Sequence, residues 1–390
     1  SRGLGDVYKR QNRDEARSAF SPTLSTEASA GVRRLENATR RNLGIANEVL
    51  YPFEASLQAD YTLFDFGTRN SLVDQQEALV SAAESRVDGE REEAALNIAR
   101  QYAQVLLQQE VLSASQAFVR EYSGLVRELQ TSVEEGLVGL PDLQLSEQRL
   151  ETALARTIEA EQELADARVT LELLLGIPIA SKLAPLPDPG PALADGAIGI
   201  RAALIATNPA VRASQEEARA ASAAAEAARA RLKPTIGADA NARVGEDIDA
   251  FQGYTNDVRG RVYVRWNLFD GGAGRARVDA AEARAVEAQE RARQVLRDSE
   301  VDALNAYNAF GSLETLTEIN RRELAAVRGL SESYRAQFEA SRRSILDVFE
   351  AQDLTASAVI RYQNTRYART LAGYRALALE ARLVDFLESQ

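Results

Sequence analysis

The chain has 390 residues, a formal net charge of -12 and no Cys, His or Met. The absence of Cys excludes disulfides and thiolate metal sites. The absence of His removes the commonest general base and metal ligand, so we do not expect an enzyme. The acidic balance argues against nucleic-acid binding, which needs a basic face. No run of about 18 apolar residues is present, which excludes a transmembrane helix but not the short alternating strands of a membrane barrel.

The first residues of the chain, 1–11, match nothing that follows them. We expect this segment to be a non-native start, such as a cloning remnant, and exclude it from the fold prediction. A flexible native terminus is the alternative.

The sequence predicts a first repeat over residues 12–183, in which two strands are followed by two long helices. Apolar and polar residues alternate over residues 53–63, which indicates a strand, whereas apolar spacings of three, four and seven over residues 112–133 indicate a helix. The predicted strands cover about residues 22–35 and 50–64, and the predicted helices about residues 68–138 and 142–175.

A proline-rich segment, residues 184–199, is predicted to link the first repeat to a second repeat over residues 200–390. The second repeat has the same order of elements, preceded by a helix with Pro209 in its first turn. The predictions are a helix over about residues 209–232, strands over about 235–245 and 257–269, and helices over about 275–340 and 345–383 with a turn at 341–344. We predict no complete equivalent of the first of these helices before Pro22, so the first repeat is expected to be truncated.

The two repeats share one motif at the end of the second strand. Leu63-Phe64-Asp65-Phe66-Gly67 returns 205 residues later as Leu268-Phe269-Asp270-Gly271-Gly272. Upstream, Ser21-Pro22-Thr23-Leu24 resembles Lys233-Pro234-Thr235-Ile236 at a distance of 212 residues. These matches indicate an internal duplication.

We interpret the shared motif as architectural, because it marks the place where a strand becomes a helix. Asp65 and Asp270 lie near the helix starts, where a carboxylate is favoured. Gly67 and Gly272 are predicted to relieve the bend at the two strand-to-helix junctions.

The predicted strands are long. All four reach the roughly 9–11 residues that a tilted membrane strand needs, whereas strands of soluble domains are commonly about 5–6 residues long. One face of each strand is apolar and the other polar or charged, which suits a barrel with a wet lumen. Half-buried strands of a soluble domain alternate in the same way and are the alternative. Four strands cannot close a barrel, so membrane strands require oligomerisation.

This order of two strands, Leu-Phe-Asp-x-Gly, a long helical pair with an Asp-bearing tip, and then the whole unit again resembles the TolC family of outer-membrane export channels over about residues 12–385. The two motifs and the tips at residues 136–148 and 338–353 carry the resemblance. It implies a mainly α fold with a membrane β-barrel portion. Three protomers would close a 12-stranded barrel and an α-helical periplasmic tunnel, in the outer membrane of a Gram-negative bacterium.

In that family the periplasmic tip closes the pore, and the resemblance assigns candidate gate residues. Asp347 and Glu350 are implied to face the pore, where an acidic ring from three chains would favour cations. Arg343 is implied to form a latch with Asp142, and Phe338 stands at a latch position where family members often carry Tyr. Without the resemblance, Asp142 reads as a cap of the return helix and the other charges as a solvated helix end.

The resemblance implies a passive duct, surrounded by outer-membrane lipid, that works with a periplasmic adaptor and an inner-membrane transporter and needs no cofactor. Residues 333–347 look more like the type I secretion branch, which an ABC transporter drives. The outer-membrane channel of a proton-driven multidrug efflux pump is the alternative. A soluble periplasmic coiled-coil scaffold or adaptor is a further alternative, but it does not explain four alternating strands.

Overall fold

The computed structural model describes residues 4–45, 47–180, 182–194, 196–249, 251–340 and 342–389, with only the backbone of residues 4–8. The chain divides into two units. The first consists of Ser1–Val87 and Arg212–Val295, and the second of Asp88–Val211 and Leu296–Gln390. Long helices dominate and the order of elements repeats, so the predicted mainly helical, two-repeat fold is confirmed.

The helices are α1 (Leu4–Ser18), α2 (Ala38–Asn42), α3 (Thr68–Glu134), α4 (Leu140–Leu175), α5 (Ile200–Thr207), α6 (Pro209–Ala230), α7 (Ala273–Glu339), α8 (Ile345–Leu379) and α9 (Leu383–Glu388). The strands are β1 (Thr23–Ala30), β2 (Arg33–Arg34), β3 (Val49–Leu50), β4 (Phe53–Phe64), β5 (Thr235–Glu246) and β6 (Tyr254–Arg265). Among the helices that the structure describes, none combines the length and the apolar character that crossing a membrane requires.

The first unit contains a four-stranded antiparallel sheet in the order β1-β4-β5-β6. Thr23 lies opposite Asp60 in the β1–β4 pair, and Thr235 lies opposite Arg265 in the β5–β6 pair. Thr235 follows Thr23 by 212 residues and Arg265 follows Asp60 by 205, the two distances of the internal duplication. The two hairpins therefore have the same register.

The described strands leave both edges of this sheet open, because β1 pairs only with β4 and β6 only with β5. Successive side chains of a strand point to opposite faces. On one face of β6, Val258, Val262 and Val264 are exposed. On the other face, Arg261 Nε lies 2.6 Å from Asp239 Oδ1 of β5. The sheet thus has one apolar face, one charged face and two unpaired edges.

Ion pairs join the helices next to the sheet. Arg17 of α1 lies 2.5 Å from Glu77 of α3, and Arg229 of α6 lies 2.6 Å from Glu282 of α7. These side chains are roughly half exposed, so solvent screening keeps both ion pairs weak.

In the second unit, the proline-rich linker packs on α8. Tyr374 is fully buried, and its hydroxyl donates to the carbonyl oxygen of Pro187 at 2.8 Å. Arg369 binds Asp188 of the linker at 2.9 Å. Burial raises the pKa of Tyr374, which keeps its hydroxyl protonated and able to donate.

Three of the four predicted strands differ from the observed strands by more than one residue. The strand predicted over residues 50–64 is interrupted, because Pro52 has no N–H for the ladder. The strand predicted over residues 22–35 ends as β1 at Ala30, and β2 pairs with β3 in a separate two-stranded sheet. The strand predicted over residues 257–269 is β6, which begins earlier, at Tyr254, and ends at Arg265. In the described chain no strand pairs with residues 266–269, because β5 begins opposite Arg265.

The helix boundaries shift at special backbone positions. α3 ends before the predicted residue 138, and Gly136, with a φ of +73°, turns the chain. α4 starts before residue 142, because Pro141 is accepted in a first helical turn. α8 stops at Leu379, and Ala381, with a φ of +54°, redirects the chain into α9. Ser341, the first residue of the predicted turn at 341–344, lies outside the described residues.

The structure also contains α1, which the sequence analysis did not predict. It precedes β1 as α6 precedes β5, so the first repeat does begin with a helix, with 15 residues against 22 in α6. Its sequence is rich in charged residues, and Arg17 pairs with Glu77 of α3. Residues 4–11 of the segment that was set apart form its first part, and residues 1–3 lie outside the described residues.

The contact between the linker and α8 predicts opposite effects for two helical Gly→Ala substitutions. A Cβ at Gly373 would lie 2.9 Å from Pro189 Cβ and 3.1 Å from Phe310 Cδ2, whereas a Cβ at Gly329 meets nothing within 4 Å. We expect Gly373→Ala to lower the free energy of unfolding by about 1–3 kcal/mol through overpacking. We expect Gly329→Ala to raise it by about 0.5–1 kcal/mol. Thermal unfolding in detergent measures both, and equal effects would contradict the packing described here.

Candidate functional site

The two helical hairpins of the second unit end in short turns, and their return helices start in different ways. Gly139 precedes α4 without a side-chain cap, and Pro141 occupies its first turn. At the start of α8, the hydroxyl oxygen of Ser344 accepts the backbone N–H of Leu346 at 3.2 Å. In both hairpins, the return helix therefore begins directly after the turn.

One apolar cluster, which we call the tip cluster, holds the two hairpins together close to these turns. Its buried members are Tyr122, Leu125, Leu129, Ala153, Ile345, Val348 and Phe349, which come from α3, α4 and α8. Phe338, predicted as a latch residue, packs against this cluster as a half-buried side chain. A Phe is suited to that contact because its ring is wholly apolar.

The predicted gate residues Asp347 and Glu350 both lie in the first turns of α8. Val348 and Phe349 between them are buried in the tip cluster, so the two carboxylates occupy the opposite side of the helix. Glu350 is exposed and lines a cavity of about 400 Å³ together with Arg149 of α4.

Arg343 makes its described contacts within its own hairpin. Its guanidinium lies 3.5 Å from Asp347, donates to Gln337 at 3.1 Å and stacks over the ring of Tyr334 at 3.8 Å. The predicted pair of Arg343 with Asp142 is therefore not formed in this structure. Asp347 lies four residues after Arg343 and is the carboxylate with which its guanidinium pairs.

Asp142 lies in the first turn of α4, where the helix dipole favours a negative charge. Its carbonyl oxygen accepts the hydroxyl of Ser146 at 2.8 Å, and its backbone N–H donates to Gly139 at 3.1 Å. Asp142 therefore makes these backbone contacts within the first turns of the return helix α4.

A second contact between the two hairpins, which was not predicted from the sequence, is a cluster of polar side chains on α3, α4 and α8. We call it the Asp353 cluster, and it consists of Tyr122 of α3, Arg149 and Arg156 of α4, and Asp353 of α8. The carboxylate of Asp353 accepts the hydroxyl of Tyr122 at 3.3 Å and Nη1 of Arg149 at 3.1 Å. Arg156 lies 3.9 Å away. The one feature of the sequence that could have indicated this cluster is Tyr122, which carries a hydroxyl among the aliphatic residues that repeat along one side of α3.

Tyr122 belongs to both the Asp353 cluster and the tip cluster. Its side chain is 5% exposed, and its ring lies 5.4 Å from that of Phe349. Burial, followed by the nearby charge of Asp353, raises the pKa of Tyr122, so the hydroxyl stays protonated. Tyr122 thus donates to Asp353 across the two hairpins.

The first strand-to-helix junction is closed by Asp65. Its carboxylate accepts the backbone N–H of Gly67 at 3.2 Å and of Arg69 at 3.0 Å, and Arg69 Nε lies 2.8 Å from the same side chain. Both side chains are largely buried. Asp65 therefore satisfies backbone donors at the start of α3, as a helix cap does.

The backbone at both junctions turns through two successive residues in the left-handed region. These are Phe66 and Gly67 in the first repeat, with φ of +54° and +95°, and Gly271 and Gly272 in the second, with φ of +70° and +91°. Phe66 thus adopts a conformation that favours glycine. Its ring packs edge-on against that of Phe64, with centroids 4.7 Å apart.

The second junction is less tightly closed. Asp270 lies 3.7 Å from Arg277, and its carbonyl oxygen accepts the backbone N–H of Ala273 at 3.4 Å. A cavity of about 510 Å³ adjoins this junction, lined among others by Trp266 and Phe269. The two copies of the motif therefore share a backbone path but differ in how their side chains close it.

Comparison with known proteins agrees with this architecture. The family described as "Outer membrane efflux protein" matches residues 9–177 and 201–378. The pyoverdine export outer membrane protein OpmQ of Pseudomonas putida is 28% identical over 344 residues, which is 83% of this chain and 70% of that protein.

Solved channel structures have the same fold. The structure of CusC superposes with a TM-score of 0.81 at 19% identity and covers 96% of this chain and 87% of its own. The outer membrane protein VceC of Vibrio cholerae superposes with a TM-score of 0.79 at 16% identity, over 97% of this chain and 91% of its own. With both repeats matched, the chain belongs to the outer membrane efflux protein family.

Proposed function

We propose that the chain is one of three identical protomers that form the outer-membrane duct of a tripartite export system. The observation that carries the proposal is the four-stranded sheet, which has an exposed apolar face and two open edges. In lipid, each unpaired backbone group costs several kcal/mol, so such a sheet is stable only when other strands close it. Three copies supply the strands for one closed barrel, with the apolar faces toward outer-membrane lipid and the charged faces toward the lumen.

We propose that Asp347 and Glu350 form an acidic ring at the periplasmic end of the duct. Both lie on the side of α8 that faces away from the tip cluster. Three copies bring six carboxylates to one axis, where their negative charge repels anions and attracts cations. Arg343 lies 3.5 Å from Asp347, so it also partly neutralises this ring.

The latch that keeps the tip closed is, in our proposal, the Asp353 cluster rather than a pair of Arg343 with Asp142. Asp353 joins the second hairpin to Tyr122 and Arg149 of the first. Arg149 and Asp353 are 39% and 36% exposed, so solvent screening limits their ion pair to no more than about 1 kcal/mol. A latch of this strength can be opened by the binding energy of a partner protein.

We propose that the partners are a periplasmic adaptor and an inner-membrane transporter. The turn of the first hairpin exposes Leu137 and Leu140, by 73% and 56%. Large apolar side chains exposed at a turn are suited to contact with another protein. The adaptor would bind at this end and draw the hairpins apart.

The cargo has two candidates, each with its own support. A relative that exports pyoverdine supports a small molecule. The likeness of residues 333–347 to the type I secretion branch supports an unfolded protein delivered by an ABC transporter. Deletion of the gene in its native host separates them, because intracellular accumulation of small compounds supports the first and loss of one secreted protein supports the second.

The acidic ring predicts a change in ion selectivity. In planar bilayers with a salt gradient, we expect the purified protein to give small cation-selective steps. The Asp347→Asn, Glu350→Gln double variant should lose most of this selectivity, since it removes all six carboxylates. Glu147→Gln, an exposed acid on α4, serves as the control and should not change the reversal potential. Unchanged selectivity in the double variant would show that the ring is elsewhere, and an absence of steps would remove the channel proposal.

If the Asp353 cluster holds the tip closed, a substitution at Asp353 should change how long and how far the channel opens. Asp353→Asn keeps the shape of the side chain but removes the charge that Arg149 and Arg156 face. We expect longer and larger openings in the same bilayers, because a weak constraint on the tip is lost. Asp166→Asn, an exposed acid further along α4, is the matched control. If both variants behave like the original protein, the Asp353 cluster does not restrain the tip.

A further inference from the structure

The open edges of the sheet allow the contact between protomers to be specified residue by residue. We propose that β6 of one protomer pairs antiparallel with β1 of the next in a single register that places Arg265 opposite Glu27, Val264 opposite Ala28 and Trp266 opposite Thr26. The inference rests on the proposed trimer and adds which residues meet across its interface.

The register follows from the internal duplication. Each repeat contributes one hairpin, and the two hairpins have the same register at the sequence distances of 212 and 205 residues. Within the chain, the hairpins join through β4 and β5, where Asp60 lies opposite Asp239. If neighbouring protomers join as the two repeats do, β6 takes the place of β4 and the next β1 takes the place of β5. Asp60 then corresponds to Arg265, and Asp239 corresponds to Glu27.

The side chains that meet in this register are complementary. Arg265 and Glu27 carry opposite charges on the polar face, and Val264 and Ala28 lie together on the apolar face. A slip of one residue would place the charged residues of one strand on the apolar face of the other. A slip of two residues keeps the faces but places Arg265 opposite Ser25 or Ser29, which removes the ion pair.

The residues after β6, which have no ladder partner in the described chain, are consistent with this register. Residues 266–269 continue the alternation of a strand, yet β6 ends at Arg265, where its pairing with β5 ends. In the first repeat, β4 continues to Phe64, the equivalent of Phe269, because β5 pairs with it there. In the proposed register, Thr26–Ala30 of the next protomer lies opposite residues 262–266, and the residues of β1 before Thr26 continue the pairing toward Phe269.

The pairing has natural limits at both ends. Arg33 would meet Arg259 in the same register, but β1 ends at Ala30, and Arg33 instead pairs with Leu50 in the small sheet. At the other end, the β4–β5 register shifts between Thr62 and Phe64. The test therefore uses positions between these limits.

Cysteine cross-linking of the full-length protein in detergent tests the register, because the chain contains no Cys of its own. The matching pair is Val264→Cys with Ala28→Cys, and the controls combine Val264→Cys with Thr26→Cys or with Ala30→Cys. Directly opposite Cβ atoms lie about 4.5–5.5 Å apart and diagonal ones about 7–8 Å, whereas a disulfide needs about 3.5–4.5 Å. Within one chain, β1 and β6 are three strand spacings apart, about 14 Å, so a bond reports on two protomers.

We expect oxidation to convert the matching variant into a covalent trimer that reducing agent returns to single chains. The two controls should stay largely uncross-linked. Stronger cross-linking in either control would overturn the register, and so would the absence of cross-linking in a protein that remains trimeric and conducts. A protein that is neither cross-linked nor trimeric would instead remove the proposed channel.

Discussion

The unpaired backbone at the two edges of the β1-β4-β5-β6 sheet is the constraint on which the rest of the structure depends. A sheet with an exposed apolar face needs a nonpolar environment, and in such an environment free N–H and C=O groups must be paired. The chain supplies the four strands of this sheet, and within its described residues no further strand covers β1 or β6. The internal duplication provides the solution, because the join between β4 and β5 can be repeated between copies of the chain.

Much of the fold could be predicted from the sequence, because the duplicated motif and the change from alternating to helical periodicity are local signals. The boundaries that differed depend on particular residues, such as Pro52, which interrupts a ladder, and Gly136, which ends a helix. Residues 266–269 show a different limit. Their alternation is that of a strand, but a strand needs a partner, and the single chain does not contain it.

The candidate site was less predictable, because it depends on which side chains meet across two hairpins. Sequence periodicity placed Asp347 and Glu350 near the start of a helix but could not show that Arg343 turns to Asp347 instead of Asp142. It also gave no reason to pair Asp353 with Tyr122 and Arg149, which lie more than 200 residues away along the chain. The resulting tip combines a buried apolar cluster, which keeps the hairpins packed, with partly exposed polar contacts that cost little to break.

The molar mass of the detergent-solubilised protein tests the central claim most directly, because closure of the sheet requires other copies of the chain. Multi-angle light scattering, corrected for bound detergent, should give three times the chain mass of 42.5 kDa. A monodisperse single chain that stays in solution without detergent would contradict the account, since a chain in that state has neither a closed barrel nor a pore.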